Sequence, residues 1–163
     1  MKLNNAIRDI MTTNLVTVKK ETSVTTVQEI FKKYNFHHLP VLDASNRLVG
    51  IISREDYFKL YNNLAKNTTG RTWTKKEVGC LKAQNIMSEY PMTLDPDDAI
   101  GLAGDIFLAN KYHALPIVED EKLLGIITVH DLLAYSFGQA KEPMEENEFK
   151  DNGTLESFET MIS

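Results

Sequence analysis

The stretch LPVLDASNRLVGIISRED (39–56) returns downstream as LPIVEDEKLLGIITVHD (115–131), and this recurrence decides the fold. Leu39-Pro40-Val41 matches Leu115-Pro116-Ile117 at an offset of 76, whereas Leu48 to Ser53 matches Leu123 to Thr128 at an offset of 75. One residue has been lost between the two apolar runs, where DASNR (43–47) becomes EDEK (119–122). A hairpin loop tolerates such a change without disturbing the strands that flank it. Working outward toward the N-terminus, Ile30-Phe31 recurs as Ile106-Phe107, Thr17 as Thr93, and Ile10-Met11 as Ile86-Met87, all at the 76-residue offset. Internal repetition on this scale governs the architecture and precedes any reading of individual elements.

Periodicity then places the elements within each copy. Val24, Val27, Ile30, Phe31 and Tyr34 mark one helical face, with Ile100, Ala103, Phe107 and Asn110 at the matching positions of the second copy. Thr22 and Ser23 are candidate caps for the first helix, and Asp97 and Asp98, just after Pro96, for the second. The paired runs HLPVLD/RLVGIIS and ALPIVE/KLLGIIT predict buried hairpins, each followed by a helix from Ser53 or Thr128. With short strands around Leu15–Val18 and Met92–Leu94, each copy reads β-α-β-β-α, an α/β (α+β) fold class. A unit of about 55 residues buries too little surface to be stable alone. Two copies packed as a pseudo-twofold module, sheets facing and helices outside, solve that problem. The expected divisions are a first repeat over 1–64, a connector over 65–81 carrying Trp73, a second repeat over 82–137, and a tail over 138–163.

Charge separates the tail from the body. The 163-residue chain carries a formal net charge of −5, and residues 138–163 account for all of it. A neutral body lacks the basic footprint of a nucleic-acid binder. The Glu-rich tail is expected to be disordered or loosely docked, although Leu155, Phe158, Met161 and Ile162 are spaced for one helical face. No apolar run is long enough to span a membrane or to resemble a secretory leader, and a single cysteine, Cys80, fits a reducing, cytoplasmic setting.

Catalytic patterns are missing from the sequence. It contains no Gly-x-Ser-x-Gly, His-Glu-x-x-His, Cys-x-x-Cys or Gly-x-Gly-x-x-Gly, and TTGRT (68–72) lacks the ending of a phosphate loop. His37, His38, His113 and His130 do not have local metal-ligand spacing, and Glu119-Asp120-Glu121 reads as a solvated turn. No metal site and no catalytic residue is therefore expected. What the two copies do share is a hydroxyl followed three residues later by an acid: Ser53 with Asp56, and Thr128 with Asp131. The pattern suits a helix capping box, although Asp is shorter than the usual Glu or Gln and less able to reach back. It equally suits a carboxylate that accepts the two hydroxyls of a ribose, with the helix N-terminus favouring a nearby phosphate. Arg54, in the first turn of its helix, would be explained by such a phosphate or by solvent exposure.

Taken together, Ile-Met-Thr/Ser, a Thr-led strand, His-x-Leu-Pro-Val/Ile and Gly-Ile-Ile-Ser/Thr-x-x-Asp, each present twice over residues 7–136, resemble the CBS (cystathionine β-synthase type) domain pair, or Bateman module. Within that family the chain resembles stand-alone bacterial proteins similar to acetoin-utilisation regulators. The resemblance implies a non-enzymatic module that needs no cofactor and takes AMP, ADP, ATP or S-adenosylmethionine as regulatory ligand. It further implies a homodimer, an effector protein that the sequence does not name, and a signal carried by altered packing or dimer geometry. A ligand-free structural module is the alternative. Carried over by position, Asp131 and Thr128 would share a cleft with Thr12, Val16 and Thr17, and Asp56 and Ser53 with Ser88, Met92 and Thr93. Adenine would lie near Pro40 or Pro116. His38 would approach phosphate where the second copy has Ala114, with His37 and His113 just upstream.

Overall fold

The computed structural model describes residues 4–65, 77, 79–109 and 112–139. The connector around Trp73, Asn110, and the tail from residue 140 onward with its Leu155, Phe158, Met161 and Ile162 lie outside the described residues. The first copy forms β1 (Val18–Lys19), α1 (Val24–Lys33), β2 (His38–Leu42), β3 (Leu48–Ser53) and α2 (Arg54–Ala65). The second forms β4 (Ser88–Glu89), α3 (Ile100–Ala109), β5 (Ala114–Glu119), β6 (Lys122–Thr128) and α4 (Val129–Ser136). Single 3-10 turns precede each copy at Ile7–Asp9 and Ala83–Asn85.

The hairpins form because apolar, β-branched strands meet across short polar turns, and both carry the same irregularity. The register shifts between Val41 and Leu42 in the first and between Ile117 and Val118 in the second. The flanking strands are shorter than expected. The first pairs with β2 only at Val18 and Lys19. The second is reduced to a bridge between Leu94 and Ile117, with Leu94 N–H donating to Pro116 and Val118 N–H to Leu94. Pro96, which offers no N–H, lies just beyond and helps stop the ladder there.

Ser23 caps α1 by accepting the Thr26 N–H at 3.1 Å. Thr22 instead accepts the Lys19 N–H at 3.0 Å, closing the turn after β1. Asp97 and Asp98 do not cap α3 as expected. They belong to the preceding turn, where Asp98 Oδ2 accepts the Asp95 N–H at 2.8 Å and Asp95 Oδ1 accepts the Asp97 N–H at 2.9 Å. These Asx-type bonds engage the Asp98 and Asp95 carboxylates before the helix begins at Ile100, while the Asp97 carboxylate pairs with Arg8.

The two cores do not coincide with the two sequence copies. One gathers Val24, Val27, Phe31, Leu39, Val41 and Ile52 with Ala83, and Leu81, Ile86 and Met87 pack against it. The other gathers Leu94, Ile100, Leu115, Ile117 and Ile127 with Ile7, and Ile10 and Met11 pack against it. Each copy therefore lends its leading turn to the core of the other. Backbone pairing follows the same exchange: β4 pairs antiparallel with β3 (Ile51 with Ser88), and Thr12 bridges antiparallel to Ile126 on β6. The bridges Ala6 to Ala99 and Ser23 to Lys82 are images of one another under the 76-residue offset, as a pseudo-twofold arrangement requires.

Candidate functional site

The exchange of leading turns places the hydroxyl-acid turns. Ser53 and Thr128 end β3 and β6, each flanked on one side by its own hairpin partner and on the other by residues of the other copy, β4 beside β3 and the Thr12 bridge beside β6. Across the sheet, Ser88, Ile51 and Pro40 form one row, and Thr12, Ile126 and Pro116 form its counterpart. Thr12 is locked in by two backbone bonds with Ile126, at 2.8 and 3.0 Å. Met11 and Met87 lie over glycines: a Cβ on Gly125 would stand 2.7 Å from Met11 Sδ and 2.9 Å from the Thr12 carbonyl oxygen, so this approach requires the absence of a side chain. Gly50 meets Met87 in the same way. The structure thus brings Thr12 beside the strand that ends in Thr128, and Ser88 beside the strand that ends in Ser53. Met92 and Thr93 are exposed on the segment leading to Leu94. Thr17 is half-buried, and Val16 packs against the first core. Pro40 and Pro116 are buried within the sheet.

Both aspartates reach back after all. Asp56 Oδ2 accepts the Ser53 N–H at 3.2 Å, and Ser53 Oγ accepts the Asp56 N–H at 3.0 Å. In the second copy Asp131 Oδ2 accepts the Thr128 N–H at 2.8 Å and the Thr128 hydroxyl at 2.9 Å, while Thr128 Oγ1 accepts the Asp131 N–H at 3.2 Å. Asp is long enough because the extended Ser/Thr residue presents its own amide toward the first helical turn. Capping does not exhaust a carboxylate, which has two oxygens and about four lone-pair sites.

Arg54 meets neither expectation. Its Nη2 donates to the Phe31 carbonyl and, at 3.2 Å, to the Tyr34 carbonyl, with the guanidinium 5.9 Å from the Phe31 ring centroid. The cation satisfies the orphan carbonyls at the negative end of α1. Sequence reading missed this because α1 and α2 are brought together only by the hairpin between them.

His38 is half-buried at the start of β2 and pairs in register with Ser53; Ala114 holds the same place opposite Thr128. Burial, and then the nearby His113 and His37, lower the His38 pKa from 6.5 to about 4, against the opposing pull of Asp56. His37 and His113 are exposed, and their carbonyls accept the N–H groups of Arg54 at 2.8 Å and Val129 at 3.2 Å, so each anchors the first residue of the following helix.

Other polar groupings lie elsewhere. Carboxylate oxygens of Asp95, Asp97 and Glu119 gather within 4.8 Å of one another, all three exposed. Arg8 stands 2.5 Å from Asp97 and 3.9 Å from Glu119, supplying a counter-charge from the other copy's leading turn. A depression of about 290 Å³ is lined by Lys20, Val49, Gln84, Asn85, Met87, Glu89 and Tyr90. Another, of about 590 Å³, lies between the two hairpin tips. Neither is lined by a candidate site residue. Among the described residues no helix is long and apolar enough to cross a membrane.

Comparison with known proteins supplies the family. The model of the CBS domain matches residues 7–63 and 83–138. An A-adding tRNA nucleotidyltransferase of Geobacter sulfurreducens is 30% identical over 140 residues, but the chain spans 14% of that protein's length. CBSX2 of Arabidopsis thaliana, solved in complex with AMP, superposes with a TM-score of 0.66 at 28% identity over 82% of this chain and 97% of the other. Two more CBS-type structures share the fold: the domain pair of MJ0100 with 5-methylthioadenosine and S-adenosyl-L-methionine (TM-score 0.67, 24% identity, 82% and 97% covered), and a putative acetoin utilization protein of Vibrio cholerae (0.63, 19%, 82% and 90%). Two matched repeats, a duplicated hairpin and leading turns exchanged between cores converge on one conclusion: the chain belongs to the CBS domain family and carries a tandem pair of its repeats.

Proposed function

We propose that this protein is a non-catalytic regulatory module that binds an adenosyl compound, AMP, ADP, ATP or S-adenosylmethionine, at one or both of its hydroxyl-acid turns. Binding would bridge the two copies and alter their packing or a dimer interface. The observation that carries this reading is that the strand ending in Ser53 pairs with β4 of the other copy and the strand ending in Thr128 bridges to Thr12 of the other copy, so that a ligand at either turn would lie beside both. Only such a ligand has differential affinity for two arrangements of the copies. The AMP complex of CBSX2 supports the choice of ligand class. Ser53, Asp56, Ser88, Met92, Thr93 and His38 would form one cleft; Thr128, Asp131, Thr12, Val16, Thr17 and His113 the other, with adenine toward Pro40 or Pro116. Exposed apolar side chains on α3 and just past the end of α4, including Leu108 at 89% and Phe137 at 74% exposure, suit a homodimer contact.

Thermal unfolding with each adenosyl compound tests the proposal. Ligand at a hundred times its dissociation constant stabilises the folded form by about 2.7 kcal/mol. The Asp56→Asn/Asp131→Asn double variant loses that ligand-dependent shift, whatever its starting stability. A shift of equal size in the double variant means that the aspartates act only as caps, through their bonds to Ser53 and Thr128. Recovery of intact nucleotide after incubation distinguishes a sensor from an enzyme.

A further inference from the structure

We infer that the two clefts are different in kind, and that the one built on Ser53 and Asp56 takes the anionic adenylate while the one built on Thr128 and Asp131 does not. The inference rests on the adenosyl-binding reading above and adds to it which cleft is used and for what ligand charge. Two independent differences point the same way.

The first is the state of the carboxylate. Asp131 is 7% exposed, and its Oδ2 is held by both the amide and the hydroxyl of Thr128, at 2.8 and 2.9 Å. Asp56 is half-buried, and among the described residues its Oδ2 accepts the Ser53 amide at the longer distance of 3.2 Å. A ribose diol must displace or supplement these bonds, and a shorter, doubly donated bond to a buried carboxylate resists that more strongly.

The second is what faces the hydroxyl across the hairpin. His38 stands opposite Ser53, on the same side of the sheet as a directly paired residue must be, whereas the buried Ala114 stands opposite Thr128. A neutral imidazole donates one N–H to a phosphate oxygen; a methyl group does not. Arg54, in the first turn of α2, is committed to carbonyls of α1, so it does not duplicate this role.

Titration calorimetry of the full chain with AMP and with adenosine tests this, and a crystal grown with AMP locates the ligand. One AMP per chain is expected, bound beside Asp56. Asp56→Asn weakens both compounds about tenfold or more, the loss expected for a hydrogen bond to a charged group. His38→Ala weakens AMP about tenfold but leaves adenosine within about twofold, and His38→Gln, which keeps a donor, falls between them. Two equivalent AMP sites, ligand found at Asp131 alone, or an unchanged AMP-to-adenosine ratio in His38→Ala would overturn the inference while leaving the adenosyl reading intact. Binding of none of the adenosyl compounds would remove both.

Discussion

His38 should make this protein acid-sensitive at a higher pH than Asp43 does. Its imidazole is held neutral by burial and by the neighbouring His113 and His37, with a pKa of about 4 in place of 6.5, while Asp56 pulls the other way. The unfolded chain therefore binds a proton that the folded chain refuses. Stability is undiminished above 6.5 and falls as pH drops toward 4, because the unfolded state holds more protons throughout that interval. The full shift corresponds to an upper limit of about 3 kcal/mol, of which about 2 kcal/mol is lost by pH 5. Asp43 is also displaced, downward, chiefly by the Arg47 backbone N–H and then by its side chain, but from an ordinary value of 3.8, so its contribution is lost in a more acidic range. Urea unfolding of wild type and His38→Gln at pH 7, 6 and 5 isolates the effect. The variant should be flatter over that range by about 2 kcal/mol, with unchanged denaturant slope. Parallel profiles would refute the assignment of a buried neutral imidazole to this position.

Gly125→Ala should destabilise the fold by about 1–3 kcal/mol in thermal or urea unfolding, because its Cβ meets the Thr12 carbonyl as well as Met11. Gly50→Ala should cost less, since the atoms it meets belong to the flexible Met87 side chain. Arg54→Ala removes the donor to the Phe31 and Tyr34 carbonyls and should lower stability by about 1–2 kcal/mol, read by the same unfolding assay. Separate fragments 1–64 and 82–137 should show no cooperative unfolding transition alone and should regain one when mixed, since Ile7 and Ala83 sit in each other's cores; a cooperative transition in either fragment alone contradicts the exchange.

Much of the fold was legible in the residues. Hairpins, helix faces and the one-residue indel follow from local patterning, and local patterning survives in any context the chain meets. Ser23 as a cap was readable for the same reason. Cap assignment failed at Asp97 and Asp98, where the Asp95 amide took the Asp98 carboxylate and Arg8 that of Asp97. The reach of Asp56 and Asp131 was misjudged because side-chain length was weighed without the extended backbone that brings the Ser53 and Thr128 amides to them. Arg54 was misread because its partners lie 20 and 23 residues away.

The sequence by itself determined that there are two copies, that each is β-α-β-β-α, and that a hydroxyl and an acid end each hairpin. These are properties of neighbouring residues, and duplication repeats them without change. Only the tertiary structure decided that the leading turns change places, that the arginine serves a helix end, and that His38 and Ala114 stand directly opposite Ser53 and Thr128. Those outcomes depend on which distant groups share a low-dielectric interior, and packing two similar but unequal copies against each other turns small sequence differences into unequal clefts.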